Sequence, residues 1–245
     1  MQYRYVTLIL LALTGGLLFA YSGLINPLSP FLLEELSLTK DQWGAIMSIG
    51  FLMTSISSLL GGLMTDRFGG KKALLTVLAL NALFILSMSV IGNETQLLIT
   101  YALFSLVGIY TVVINRFLGI WFPRNERGRI QAIYGTVCGL AKYFLPPWFI
   151  LIILSISDWR MVYVLSPLLA VPVFILLWFF LCERPQDSNK VSKEEMKHIL
   201  GQELSSQGSE KTVPQPVKIS LSEFFKDKLL WGLFALGFLY NTSSG

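Results

Sequence analysis

The sequence predicts an all-α, polytopic membrane protein: six spanning helices, a polar linker and the start of a seventh helix. Three observations carry this prediction. Of 245 residues, 53% are apolar and only 14% charged, against about 25% charged in a soluble domain. Six apolar runs are long enough to cross the hydrocarbon layer, which takes about 20 helical residues. The lysines and arginines gather in alternate connections between those runs.

The predicted spans are Tyr5 to Leu28, Gly44 to Met64, Ala73 to Ile91, Leu97 to Ile120, Ile130 to Leu154 and Met161 to Cys182. The first exceeds the apolar core of a signal peptide, about 7 to 15 residues, and reads as a retained span. Thr39-Lys40-Asp41-Gln42 reads as a capping box that opens the second helix, with each side chain satisfying a backbone N–H of the other. Gly92 to Gln96 reads as a tight turn before the fourth. Pro146 and Pro147 interrupt the fifth and are expected to release carbonyls towards a cavity. Trp43, Trp121, Trp148 and Trp159 fall near span ends, where interface anchoring is expected.

From Glu183 to Lys228 the composition turns polar, and Ser192-Lys193-Glu194-Glu195 opens a short helix with Met196, Ile199, Leu200 and Leu204 on one face. It is expected to lie on the membrane surface. The domains expected are therefore 1–182 for the bundle, 183–228 for the linker and 229–245 for the truncated start of helix seven.

Orientation follows from the basic residues. Of the nineteen, fifteen lie at the N-terminus, in the second and fourth connections and in the linker, and Lys40 and Arg160 lie on the opposite side. Positive loops stay in the cytoplasm, so the N-terminus and linker are expected inside, in the plasma or inner membrane. The net charge of +4 is dispersed over these loops and makes no nucleic-acid surface. The two cysteines, Cys138 and Cys182, lie in spans, and no spacing indicates a disulfide framework, a metal site or a cofactor. The one histidine, His198, reads as a solvated residue of the linker helix. With neither carboxylate nor histidine inside the spans, catalytic residues are not expected and the chain does not read as an enzyme.

Two basic residues remain inside the spans. Lys142 lies near mid-depth, where a lysine costs on the order of 3 kcal/mol unless it faces protein or water. Gly135, Gly139 and Lys142 share one helical face, so close packing beside an internal cavity is expected. Arg116 lies nearer the inner end. Together they favour a small anionic solute, the lysine as a point charge and the arginine as a bidentate fork. Tyr21 and Asn26 could add hydrogen bonds. Packing alone is the bland alternative for Lys142, and headgroup contact for Arg116.

The second connection contains the pattern Gly62-x-x-x-Asp66-Arg67-x-Gly69-x-Lys71-Lys72. It resembles, at every specified position, the loop between helices two and three of the major facilitator superfamily. Asn115-Arg116-Phe117-Leu118-Gly119-Ile120-Trp121-Phe122-Pro123 with Glu126-Arg127-Gly128-Arg129, Asp158-Trp159-Arg160 and Glu183-Arg184-Pro185-Gln186 resemble its anion:cation symporter and organophosphate exchanger branch. The resemblance implies two inverted three-helix repeats, a missing C-terminal six-helix half, and alternating access to a midplane site. It also implies that Gly62, Asp66, Arg67, Gly69, Lys71, Lys72, Glu126, Arg127 and Arg129 gate the swing, with Asp66 and Arg67 in a charge network with Arg127 or Arg129. The charged residues that the branch commonly carries in helix one, and the arginine and glutamate in helix four, are absent between Tyr5 and Leu28 and from Leu97 to Asn115. Symport, exchange and uniport therefore all stay open. A receptor or sensor on the same scaffold, with the linker as its output, is the alternative.

Overall fold

The computed structural model describes residues 2–155, 158–188, 190–206 and 232. The described segments are helices α1 (Tyr3–Glu35), α2 (Lys40–Phe68), α3 (Gly70–Val90), α4 (Glu94–Trp121), α5 (Arg124–Leu154), α6 (Arg160–Phe180) and α7 (Lys193–Ser206), with no strand among the described residues. Five of these, α1 to α4 and α6, are long and apolar enough to cross a membrane, and α5 is 31 residues long. Each predicted span falls on one of the six, the third and the sixth running one and two residues past the helix end. The expected seventh falls outside the described residues, apart from Gly232.

Local chemistry sets the ends. Thr39 Oγ1 accepts from the Gln42 N–H at 3.2 Å and Gln42 Oε1 accepts from the Thr39 N–H at 2.8 Å, the reciprocal box that opens α2. Asn93 Oδ1 accepts from the Gln96 N–H at 2.8 Å and opens α4. Gly69 sits at φ 82° between α2 and α3, a backbone setting that a side chain would strain.

The helices pack reciprocally. α1, first of the first three, lies along α5, and α4, first of the second three, lies along α2, while α3 packs on α6. That exchange of partners is what a two-fold relation between two three-helix units produces. Lipid gives helices no hydrophobic reason to associate, so close backbone approach at small residues has to supply the contact. A Cβ placed on Gly15 would overlap the Tyr134 hydroxyl, and one on Gly23 would overlap the Lys142 carbonyl. Pro146 has no N–H to donate to that carbonyl four residues back, and its own ring lies 3.1 Å from the same Gly23 position. The carbonyl released by Pro146 therefore faces the bare backbone of α1. α5 runs as one helix through both prolines.

Several expectations change here. Gly135 and Gly139 have nothing within 4 Å of an added Cβ, so the glycines that bring α1 and α5 together are those of α1. Trp121 and Trp159 are core residues, 0% and 5% exposed, because neighbouring helices cover the ring at each span end. Trp148 is exposed. The linker helix α7 buries Ile199 against the bundle instead of turning it to lipid.

At the end of the bundle opposite the basic loops, Arg160 donates to the Ser89 carbonyl at 2.6 Å, the Ile91 carbonyl at 2.9 Å and Glu35 at 2.5 Å. Trp159 Nε1 donates to the same Glu35 at 2.8 Å. One guanidinium thus gathers the ends of α1, α3 and α6.

Gly23→Leu should force α1 from α5 and destabilise the protein by about 1–3 kcal/mol, the usual cost of overpacking. Gly135→Ala should change stability by less than about 0.5 kcal/mol. Thermal unfolding of the purified protein in detergent, followed by size-exclusion fluorescence, separates the two.

Candidate functional site

Two helices are interrupted inside the bundle, α1 at Leu24 alone, where the backbone stays helical and bonded, and α4 over Val107 to Ile109. α1 consists of Tyr3–Gly23 and Ile25–Glu35, and α4 consists of Glu94–Leu106 and Tyr110–Trp121. These are the first helices of the two three-helix units. A broken helix leaves backbone groups without partners and is tolerated at membrane depth only where protein or a cavity receives them. Asn81 of α3, 1% exposed, sends its amide to the Val107 carbonyl at 3.4 Å and to its own Val77 carbonyl at 3.0 Å. Gly108 fits against Ser57, where an added Cβ would lie 3.1 Å from the hydroxyl. Tyr110 meets Phe19 of α1 edge-on, ring centroids 5.4 Å apart.

Both breaks open onto one cavity of about 310 Å³. Ser22 and Asn26 reach it from the α1 break, Ser105 and Thr111 from the α4 break, and Thr54 and Asn81 from α2 and α3. Tyr101, Phe104 and Tyr110 add aromatic wall. α5 contributes Lys142 alone. Its ammonium lies 5.4 Å from the Tyr143 ring centroid, and no hydrogen bond or ion pair engages it among the described residues. No carboxylate lines the cavity among those residues. The arrangement supplies one unneutralised cation facing hydroxyl and amide groups.

Of the residues singled out from the sequence, Lys142 and Asn26 meet in this cavity. Tyr21 is placed elsewhere: 2% exposed, it donates to the Ser166 carbonyl of α6 at 3.0 Å and lines a separate apolar cavity between α1, α5 and α6. Arg116 is also outside. It donates to Asp66 at 2.6 Å, with 37% and 77% of the two side chains exposed, and so ties α4 to the end of α2.

The partner of Asp66 is therefore Arg116, not Arg127 or Arg129. Arg127 is held against the end of α4, donating to the Phe122 carbonyl at 3.0 Å and the Gly119 carbonyl at 2.5 Å, where a cation suits the carbonyl end of a helix. Arg129 is exposed. Arg67 stacks 5.6 Å from the Phe68 ring centroid. Lys71 donates to the Trp178 carbonyl at 2.7 Å, Lys72 is exposed, and Gly62 has nothing within 4 Å of an added Cβ.

Glu183 accepts from the Gly70 and Lys71 N–H groups at 2.6 and 2.7 Å, capping α3. Glu195 does the same for α1, accepting from Tyr3 and Arg4 N–H at 3.1 and 2.8 Å. The Ser192 to Glu195 start of α7 thus makes half of a capping box: Ser192 Oγ accepts from the Glu195 N–H at 3.1 Å, while the glutamate serves another helix. Glu126 accepts from Arg4 and bonds His198, both at 2.9 Å, so His198 is bonded, not merely solvated. Burial pushes the Glu126 carboxyl up, but the His198 bond and the Arg4 charge outweigh it and hold the group below its ordinary value.

A sequence profile of the Major Facilitator Superfamily matches residues 11–244. The chain belongs to that superfamily. This facilitator chain is 26% identical over 185 residues to the hexuronate transporter of Bacillus subtilis (strain 168), covering 75% of the chain and 43% of the relative. It is 27% identical over 179 residues to the probable sulfoacetate transporter SauU of Cupriavidus necator, covering 71% of the chain and 41% of the relative. It is 31% identical over 192 residues to the multidrug resistance protein MdtG of Citrobacter koseri, covering 76% of the chain and 45% of the relative. The matched region thus spans less than half the length of each relative, all of them transport or resistance proteins rather than enzymes.

Glu126→Gln in this facilitator should cost about 1.5–3 kcal/mol at pH 7, the worth of a hydrogen bond to a charged group. A carboxyl held below its ordinary value stabilises the fold above that value, about 4.5, and loses the contribution as pH falls through the lowered one. Melting curves from pH 7 to pH 3 should show wild type and variant converging at the acid end.

Proposed function

We propose that the chain is the N-terminal half of a carrier moving a small organic anion across a membrane by alternating access, with a second six-helix half completing the site. The observation that carries this reading is the Lys142 ammonium, unneutralised in a polar cavity where two helices break. A half-buried cation at membrane depth with no charged partner among the described residues is costly, and an anionic solute supplies the partner. The hydroxyl and amide groups from α1 to α4 suit the remaining oxygens of a hydroxylated acid, Asn26 among them. The names of the hexuronate and sulfoacetate relatives support an organic anion.

The similarity to MdtG favours multidrug export as a second reading. The Lys142 ammonium repels a cationic drug, and no carboxylate lines the cavity among the described residues to offset it. The anion reading therefore stands first.

In this reading the basic end faces the cytoplasm of a plasma or inner membrane, with N-terminus and linker inside. The Asp66–Arg116 pair, with the turn at Gly69 and the basic groups of Arg67, Lys71 and Lys72, holds the inner ends of α2 to α4 while the halves rock. Its exposure limits it to about 0–1 kcal/mol, weak enough to break and re-form on each cycle.

Lys142→Ala in the full-length carrier should lower uptake of a sugar acid or sulfonate at least about tenfold, since a charge-assisted hydrogen bond is worth about 1.5–3 kcal/mol. Insertion and melting temperature should stay unchanged, and Lys142→Arg should retain part of the activity. Uptake kinetics equal to wild type in Lys142→Ala would reject the anion site.

A further inference from the structure

The linker helix α7 touches the bundle at a point that the transport cavity does not use. Glu195, 4% exposed, spans the first two N–H groups of α1. His198, one turn further, bonds Glu126 of α5 at 2.9 Å. The second oxygen of that carboxylate accepts from Arg4 of α1, whose side chain is 7% exposed. Ile199, 3% exposed, closes the contact beside the end of α4. α7 is thereby fixed at once to α1 and α5, the two helices joined at Gly23 and Lys142.

We propose that α7 is a proton-sensitive latch, held tightly to the basic end of the bundle when His198 is protonated and loosened when it is neutral. Imidazole is the side chain whose charge changes between about pH 5 and pH 8. The neutral ring gives Glu126 one ordinary hydrogen bond, and the imidazolium gives a charge-assisted one, roughly twice as strong.

The surrounding charges set the sign. On α5, Glu126 faces the ring directly, and Arg127 is turned to the α4 carbonyls. On α1, Arg4 opposes protonation but reaches only the far oxygen of Glu126, with Tyr5 under its guanidinium at 4.9 Å. On α7, the Glu194 and Glu195 carboxylates lie four and three residues back on the same face, Glu195 committed to the α1 N–H groups, and Lys193 and Lys197 are exposed. Before α7, Lys190 is drawn to the Tyr3 and Phe180 rings. Beside Ile199, Arg116 is neutralised by Asp66 and Glu183 is committed to the α3 N–H groups, which leaves Arg184 exposed at the edge of the contact. Glu126 is thus the charged group bonded to the ring among the described residues, and that bond is the stronger with the imidazolium.

Hydrogen exchange of residues 193–206 in the full-length protein, followed from pH 6 to pH 8 and corrected for intrinsic exchange, tests the latch without any transport measurement. Wild type should exchange severalfold more slowly at pH 6 than at pH 8. His198→Gln, which keeps a donor but cannot titrate, should exchange at one rate across the range. Protection in wild type that does not change with pH, or a His198→Gln variant that keeps the wild-type pH dependence, would overturn the proposal.

Discussion

The contact of α1 with α5 is the constraint on which the rest of the structure depends. Backbone meets backbone there: the bare α-carbon of Gly23 faces a carbonyl that Pro146 has left without its helical donor. Such an approach is available only to a residue without a side chain, and it fixes the rotation of α5 about its axis. That rotation puts the Lys142 side chain at the cavity and leaves the faces of Gly135 and Gly139 open. Pro146 and Lys142, four apart on one helix, are therefore parts of one device. The same packing exchanged between units joins α4 to α2, which places the two broken helices around a single polar space.

Charged side chains tie the helix ends of this bundle together, while the Lys142 ammonium at its middle has no charged partner among the described residues. At one end Arg160 satisfies two carbonyls and a carboxylate. At the other, Glu183 and Glu195 each take two N–H groups of a helix start. Each of these charges satisfies backbone groups that a helix end leaves without an intrahelical partner. The cavity differs, since among the described residues the ammonium of Lys142 has the Tyr143 ring beside it and no carboxylate. A site meant to receive a solute has to leave part of its chemistry unmatched. The second half of the carrier, in the proposed reading, would close over the same space.

Much of the architecture was legible in the sequence because membrane insertion is a local problem. Run length, charge-free stretches and the capping box at Thr39 each depend on residues within one helix or turn, and the pattern from Gly62 to Lys72 lies in one loop. The site was half legible. A lysine at mid-depth declares itself, since hydrocarbon allows it no outward orientation. Tyr21 did not, because either side of α1 is protein and only the packing of α6 decides that its hydroxyl meets Ser166. Asn81 carried a signal, an amide alone in an apolar span, but its target is a helix break that composition does not announce.

By itself the sequence determined that the chain spans a membrane as six helices, which of its ends carries the basic residues and the superfamily it belongs to, because hydropathy, charge and a loop motif act over a few turns of chain. Tertiary structure alone decided which charges meet. Asp66 joins Arg116 across 50 positions, Glu195 caps a helix that begins 192 positions earlier, and His198 finds Glu126 across 72. A carboxylate takes whichever donor the packing of helices brings within about 3 Å, and no local period in the chain encodes that distance.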